Sequence, residues 1–256
     1  MAVAMLRVVE REARVFRRMW YGSVFSSLVG PILFLAAMGL ELGDLIDQRS
    51  GPVEGMTYLQ FVTPGMLAAA AMQTAAGFSL WPIMAGTKWV RSFHGMVATP
   101  LSPGDIHAGL VVWAALRAAL YGTGFFVVAA LLGGVHSVWG VLAIPAAALC
   151  GAAFAAPLSA FAATQDTDLS FPVIMRLGIL PLYLFSGTFF PIDLLPAWLQ
   201  VAAVLSPLWH GVEMARAATS GAIEWWPWIG HGLVLAAIVV AALPWGRRAF
   251  ARNLTP

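Results

Sequence analysis

The chain has 256 residues, 60% of them from the set AVILMFWYC and only 10% charged, with a mean hydropathy of +0.82; this excludes a water-soluble globule, a disordered chain and a long coiled coil. Its 14 Lys and Arg against 12 Asp and Glu leave a net charge of +2, and no dense basic face of the kind that grips nucleic acid is present. What remains is an all-α polytopic membrane protein forming one transmembrane domain over 1–256, because its apolar runs are long and unbroken where a barrel would alternate.

Residues 1–20 form an amphipathic stretch. Leu6, Val9, Ala13, Phe16 and Trp20 recur at three- and four-residue steps, and Arg7, Arg11, Arg14 and Arg18 make a second row. The pattern predicts a helix in the membrane interface with its basic side toward anionic headgroups, acting as a topology anchor or as a brace for a cytoplasmic partner. Six spans follow, judged against the roughly 20 residues a crossing needs: Tyr21 to Leu42, Tyr58 to Met84, Ala108 to Leu132, Val138 to Ala163, Phe171 to Phe190 and Trp225 to Trp245. The first is too long for a signal peptide, and five more follow it. Pro64 and Pro82 are expected to mark the ends of the second. The fourth is rich in small residues, Ala146 to Ala148, Cys150 to Ala153 and Ser159 among them, and reads as a close-packing helix. Cys150, the single cysteine, offers neither a disulfide framework nor a Cys metal site.

Orientation follows from Lys and Arg near the span ends. Six crossings put both termini on one side, with Arg7, Arg11, Arg14, Arg17, Arg18, Lys88, Arg91, Arg247, Arg248 and Arg252; the other side has only Arg49 and Arg216. The termini are therefore expected in the cytoplasm of a cell-membrane protein.

Between the second and third spans, 85–107 is too long for a bare hairpin. Lys88, Arg91 and His94 at three-residue steps suggest one short helix with a polar face, stopped by Pro100 and Pro103. It is either a snorkelling connector or a docking element. Beyond the fifth span, 191–209 stays apolar but is broken by Pro191, Pro196 and Pro207, and it is too short to cross. Such a stretch dips back into the outer leaflet with its broken backbone shielded by protein, and Trp198, Trp209, Trp225, Trp226 and Trp228 suit an interfacial belt.

Two arginines lie within spans. Arg176 can snorkel to the cytoplasmic face. Arg117 is deeper and needs a partner, with Gln73, Thr74 or Asp166 as candidates, or an anionic substrate.

The run Phe185-Ser186-Gly187-Thr188-Phe189-Phe190-Pro191, then Leu195-Pro196-Ala197-Trp198-Leu199 and Ser206-Pro207-Leu208, resembles the signature of ABC-2 type exporter permeases, most like the nodulation-factor and daunorubicin exporter branch. The loop Val97 to Ser102 is similar to the family's loop between spans two and three. The resemblance covers nearly the whole chain and implies a permease that dimerises, with itself or a second permease, and binds two ATP-binding subunits. It implies a coupling helix over Lys88 to Met96, so that Lys88, Arg91, His94, Thr99 and Pro100 face the ATPase. It implies re-entrant outer helices over Ile192 to Leu205, with Pro191, Leu195, Pro196, Trp198 and Pro207 as an outer gate. The pathway wall is expected at Met66, Met72, Gln73, Phe78, Leu182, Phe185 and Phe189, surrounding an amphipathic drug, lipid or glycolipid-like compound. Trp209 stands where many relatives carry a basic or small polar residue.

ATP hydrolysis is expected on the partner chains. A P-loop needs GxxxxGK[ST], and the sole lysine, Lys88, lies between Thr87 and Trp89. No cofactor is expected on this chain; ATP and Mg belong to the ATPase. An ion-coupled secondary transporter is the main rival class, but the acidic residues lie at span ends or in loops rather than at mid-membrane. An intramembrane serine hydrolase would have to pair Ser186 with His231, and His94, His107, His136, His210 and His231 show no metal-ligand spacing.

Overall fold

The computed structural model describes residues 2–254. Among them no strand forms beyond one antiparallel bridge between Val53 and Met56. Helix α1 (Ala2–Leu35) passes through a π turn at Ala36–Glu41 into α2 (Leu42–Ser50). Then come α3 (Tyr58–Ser79), α4 (Trp81–Met84), α5 (Ser92–Val97), α6 (Pro103–Leu131) and α7 (Ala143–Thr164). They are followed by α8 (Phe171–Val173), α9 (Leu180–Phe185), α10 (Ala197–Leu205), α11 (Pro207–Ser220) and α12 (Trp225–Leu254).

Among the described residues, five segments are long and apolar enough to cross a membrane: Val3–Arg49, Tyr58–Trp89, Pro103–Leu131, Val138–Thr164 and Trp225–Leu254. The expected fifth span, Phe171 to Phe190, is shorter than predicted. It is built of α8, a π turn at Ile174–Ile179 and α9, only 3, 6 and 6 residues long, and its helix stops at Phe185. The cause is local: Ser186 leaves helical geometry, Gly187 takes a left-handed φ of 77° that glycine alone adopts freely, and Pro191 cannot resume the ladder.

Two prolines also act differently from expectation. Thr57 and Gln60 form a capping box that starts α3 at Tyr58, so Pro64 sits inside the helix and does not mark its end. Ser102 and Asp105 form a second box with Pro103 at the first helical turn, so Pro103 opens α6 five residues before Ala108 and does not close the preceding loop. Nor does a break separate residues 1–20 from the first span, since α1 runs through Trp20 and Tyr21 uninterrupted.

Helix α1 leans along α6. Val8 packs at Gly109, Phe16 meets Trp113 edge-on and Leu28 lies at Gly124. At the far end of the chain, Asn253 donates to Ala163 O at the close of α7. Both termini thus share one end of the bundle, called here the terminal end, with the start of α6. His107 ties that end together, with Nε2 3.0 Å from Ser159 Oγ and its ring against Phe250.

Helix α7 is the centre. Ala146, Ala147, Cys150, Ala153, Ala155, Ala156 and Ala160 are all buried. A Cβ built on Gly151 would lie 2.9 Å from that of Ala118, and one on Gly211 of α11 would lie 2.7 Å from Cys150 Sγ. Small side chains let the backbones approach, and in lipid this close packing substitutes for a hydrophobic drive between helices.

Candidate functional site

A cleft opens between α1 and α3, with α9 at its upper edge. Met66, Ala70 and Gln73 share one face of α3, as their spacing of four and three residues requires. Opposite them stand Gly30, Pro31 and Phe34 of α1, with Tyr183 of α9, enclosing about 170 Å³. Tyr183 Oη donates to Met66 Sδ at 3.4 Å, and the Phe189 ring lies 5.1 Å from that of Tyr183 and 5.4 Å from that of Phe34. Of the expected wall residues, Met66, Gln73 and Phe189 meet here. Met72 does not: it is fully buried against the α7 core, on a different face of α3 from Gln73. Leu182 packs on that same core, and Phe185 turns to Phe190.

Arg117 stands on α6. None of its expected partners binds it. Nη2 donates to Tyr121 Oη at 3.0 Å, one turn along the same helix, and the guanidinium carbon lies 5.0 Å from the Phe78 ring centroid, 5.5 Å from Tyr121 and 5.8 Å from Phe16.

Away from the termini, the proline-broken segment folds as a hairpin that does not span. Pro191 precedes a 3-10 turn at Ile192–Leu194, Pro196 caps α10, and Pro207 occupies the first turn of α11, so each proline falls where a helix starts. Freed backbone groups find side chains: Gln200 Nε2 donates to Leu195 O at 2.8 Å, and Ser206 Oγ accepts from Leu208 N. Leu194, Trp198, Val201 and Leu205 are exposed and present an apolar face. Helix α11 runs from the depth of Cys150 back to the distal loop, where Thr219 O accepts from His136 N and Ser137 N.

Sequence reasoning missed what holds this hairpin. Arg216 is only 8% exposed. Its Nη2 donates to Gly187 O at 2.5 Å and its Nη1 to Glu213 at 2.6 Å, and its guanidinium lies 4.2 Å from the Phe61 centroid. One side chain therefore joins α11, α3 and the turn that ends the short span. The Glu213 three residues earlier was the available signal. His210 and His231, 21 residues apart, also meet, Nδ1 to Nδ1 at 2.8 Å beside Trp209. The hydrolase pair is not assembled: Ser186 Oγ bonds Ser206 Oγ, and His231 bonds His210.

The same turn packs on α3 without space to spare. A Cβ on Gly65 would lie 2.6 Å from Thr188 O and 2.7 Å from Thr188 Cα, whereas Gly77 on the same helix faces open space. Gly65→Ala is expected to cost about 1–3 kcal/mol by overpacking backbone against backbone, and Gly77→Ala to be neutral or stabilising by up to about 1 kcal/mol. Thermal melting of the two purified variants checks both; equal midpoints would refute the contact.

At the terminal end the expected polar helix is rearranged. Lys88 belongs to the π turn Ala85–Trp89 that continues α4, and its Nζ pairs with Asp166 Oδ1 at 2.9 Å. The ammonium beside it holds the Asp166 carboxyl below the usual carboxylate range. Arg91 is exposed with a left-handed φ of 56°, and only then does α5 begin. Lys88, Arg91 and His94 therefore do not share one helical face, and His94 is half-buried. Phe93 fills the notch left by Gly86 and stacks near Phe250. Exposed at the tip are Arg91, Gly95, Ala98, Thr99 and Pro100. Thr99, Pro100 and Leu101 also face Val3, Ala4 and Arg7 across a groove of about 500 Å³.

Comparison with known proteins bears on this arrangement. The profile described as ABC-2 type transporter matches residues 4–219. The chain is 32% identical to Nodulation protein J of Rhizobium leguminosarum bv. viciae over 84% of its length and 82% of that protein's. It is 33% identical to Nodulation protein J of Bradyrhizobium diazoefficiens, covering 82% and 78%. It is also 26% identical to the Inner membrane transport permease YadH of Escherichia coli, covering 84% and 82%.

Proposed function

Because the chain belongs to the ABC-2 type transporter family, a family of multi-pass membrane transport subunits, we propose that it is the permease of an ATP-driven exporter of amphipathic compounds. Two permeases, identical or different, pair with two ATP-binding subunits at the terminal end, which the excess of Arg and Lys there assigns to the cytoplasm. ATP and Mg bind those subunits. Closure of the ATPase pair shifts α5, the α1–α3 cleft changes its access, and the Pro191 to Pro207 hairpin gates release.

The observation that carries this reading is one continuous mechanical link. The exposed α5 tip is seated by Phe93 on Gly86, at the end of the segment that runs through α4 into α3. The middle of that segment forms the cleft wall at Met66, Ala70 and Gln73. A push on α5 therefore reaches the cleft through packed helix rather than through a flexible loop.

The test is reconstitution with the ATP-binding subunits in inside-out vesicles, following uptake of a fluorescent amphiphile. Uptake is expected to require ATP and Mg and to persist when ion gradients are collapsed. Uptake driven by a proton gradient and indifferent to ATP would overturn the proposal in favour of ion-coupled transport.

A further inference from the structure

Beyond the α1–α3 cleft, toward the terminal end, stands a cation that the chain does not neutralise, Arg117 beside Phe78. Among the described residues, no carboxylate forms an ion pair with Arg117, and Asp166 is engaged by Lys88. One N–H of Arg117 reaches Tyr121, while Nε is buried without an acceptor. The three aromatic rings around it supply attraction but no counter-charge. An arginine at this depth is costly unless it meets an anion or a wet cavity.

Helices α1 and α3 lead from the arginine to the cleft. Phe78 and Phe16, the rings flanking the guanidinium, belong to α3 and α1, the two walls. Five residues back along α3, about 7–8 Å at helical rise, Gln73 is exposed, and beyond it the lining turns apolar and aromatic with Phe34, Met66 and Tyr183. The cation beside Phe78, the polar Gln73 and the apolar cleft lining at Met66 thus follow one another along α3.

We propose that Arg117 is a headgroup site: the cleft takes amphiphiles with an anionic headgroup (carboxylate, sulfate or phosphate), bound on the guanidinium, with the tail running past Gln73 toward Phe34 and Tyr183. This rests on the transport reading and adds the substrate's charge class. An oxyanion accepts charge-assisted hydrogen bonds from the unengaged N–H groups, which a neutral headgroup answers only weakly.

The experiment uses the full-length purified chain in phosphatidylcholine nanodiscs, with dansylated undecanoate and its methyl ester as paired probes. The wild type is expected to bind the carboxylate more tightly than the ester. Arg117→Gln should weaken the carboxylate about tenfold or more and leave the ester within about twofold. Arg117→Lys, which keeps the charge but not the planar fork, should retain part of the preference. Phosphatidylglycerol added to the nanodisc identifies the source: competition means a bilayer lipid headgroup occupies the site, and no competition means a free amphiphile does. Equal affinities of the wild type for the two probes, which needs no variant to fold, would overturn the site, as would equal losses of both probes in Arg117→Gln. No ATP-binding subunit is present, so failure here leaves the exporter reading standing, and failure of ATP-driven uptake leaves this site standing.

Discussion

Replacing Arg216 with methionine is expected to lower stability by about 3 kcal/mol and to loosen the distal hairpin. The side chain is buried and bonds two acceptors on different elements, Gly187 O and Glu213. Methionine fills similar space but leaves the Gly187 carbonyl without its donor and the Glu213 carboxylate without its counter-charge. Gly187 also sets the end of the short span, and two residues later Phe189 leans on Phe34 and Tyr183 at the cleft. Losing the bond therefore frees the turn that shapes the upper cleft, and transport per folded complex should fall together with the melting temperature. Arg216→Lys should be intermediate, since one ammonium cannot bridge both acceptors and lie flat on Phe61. Thermal melting in nanodiscs and transport normalised to purified complex measure the two effects. A variant that melts and transports like the wild type would show that the network contributes nothing.

The parts of this fold that sequence exposes are those governed by bulk hydropathy and backbone chemistry. Long apolar runs locate α1, α3, α6, α7 and α12 because a crossing demands length, and the prolines at 191, 196 and 207 locate the non-spanning hairpin because each suits a new helix start and cannot continue the helix before it. Phe171 to Phe190 looks like a full span because hydropathy does not register the left-handed Gly187 that ends its helix. Pro103 looks like a stop until the Ser102 and Asp105 box is noticed three residues apart, a signal present in the sequence all along. Side-chain partnerships across helices leave no such trace. Arg117 finds Tyr121 at i+4, which spacing permits, but also rings 39 and 101 positions away, Phe78 and Phe16. Arg216 reads as a solvent-facing charge near the far membrane surface, yet it is the buried tie of that surface.

Arg91→Glu is expected to reduce ATP-driven transport on the order of a hundredfold, because a like charge set against a docked partner costs several kcal/mol. Arg91 holds a φ of 56°, a conformation that costs a β-carbon-bearing residue about 1 kcal/mol and persists only where the surroundings impose it. Here they do: Arg91 N donates to Ala85 O at 3.3 Å, and Arg91 O accepts from His94 N at 3.1 Å, so the residue is the joint between the second span and α5. Glycine would relieve that strain while removing the exposed side chain. Arg91→Gly separates the two roles: it should raise thermal stability slightly while weakening co-purification of the ATP-binding subunits, whereas Arg91→Glu should abolish co-purification with little change in the melting temperature of the permease alone. Were the charge only a snorkelling anchor, both variants would keep their ATPase partners and transport at the wild-type rate per complex, and the coupling role of α5 would have to be abandoned.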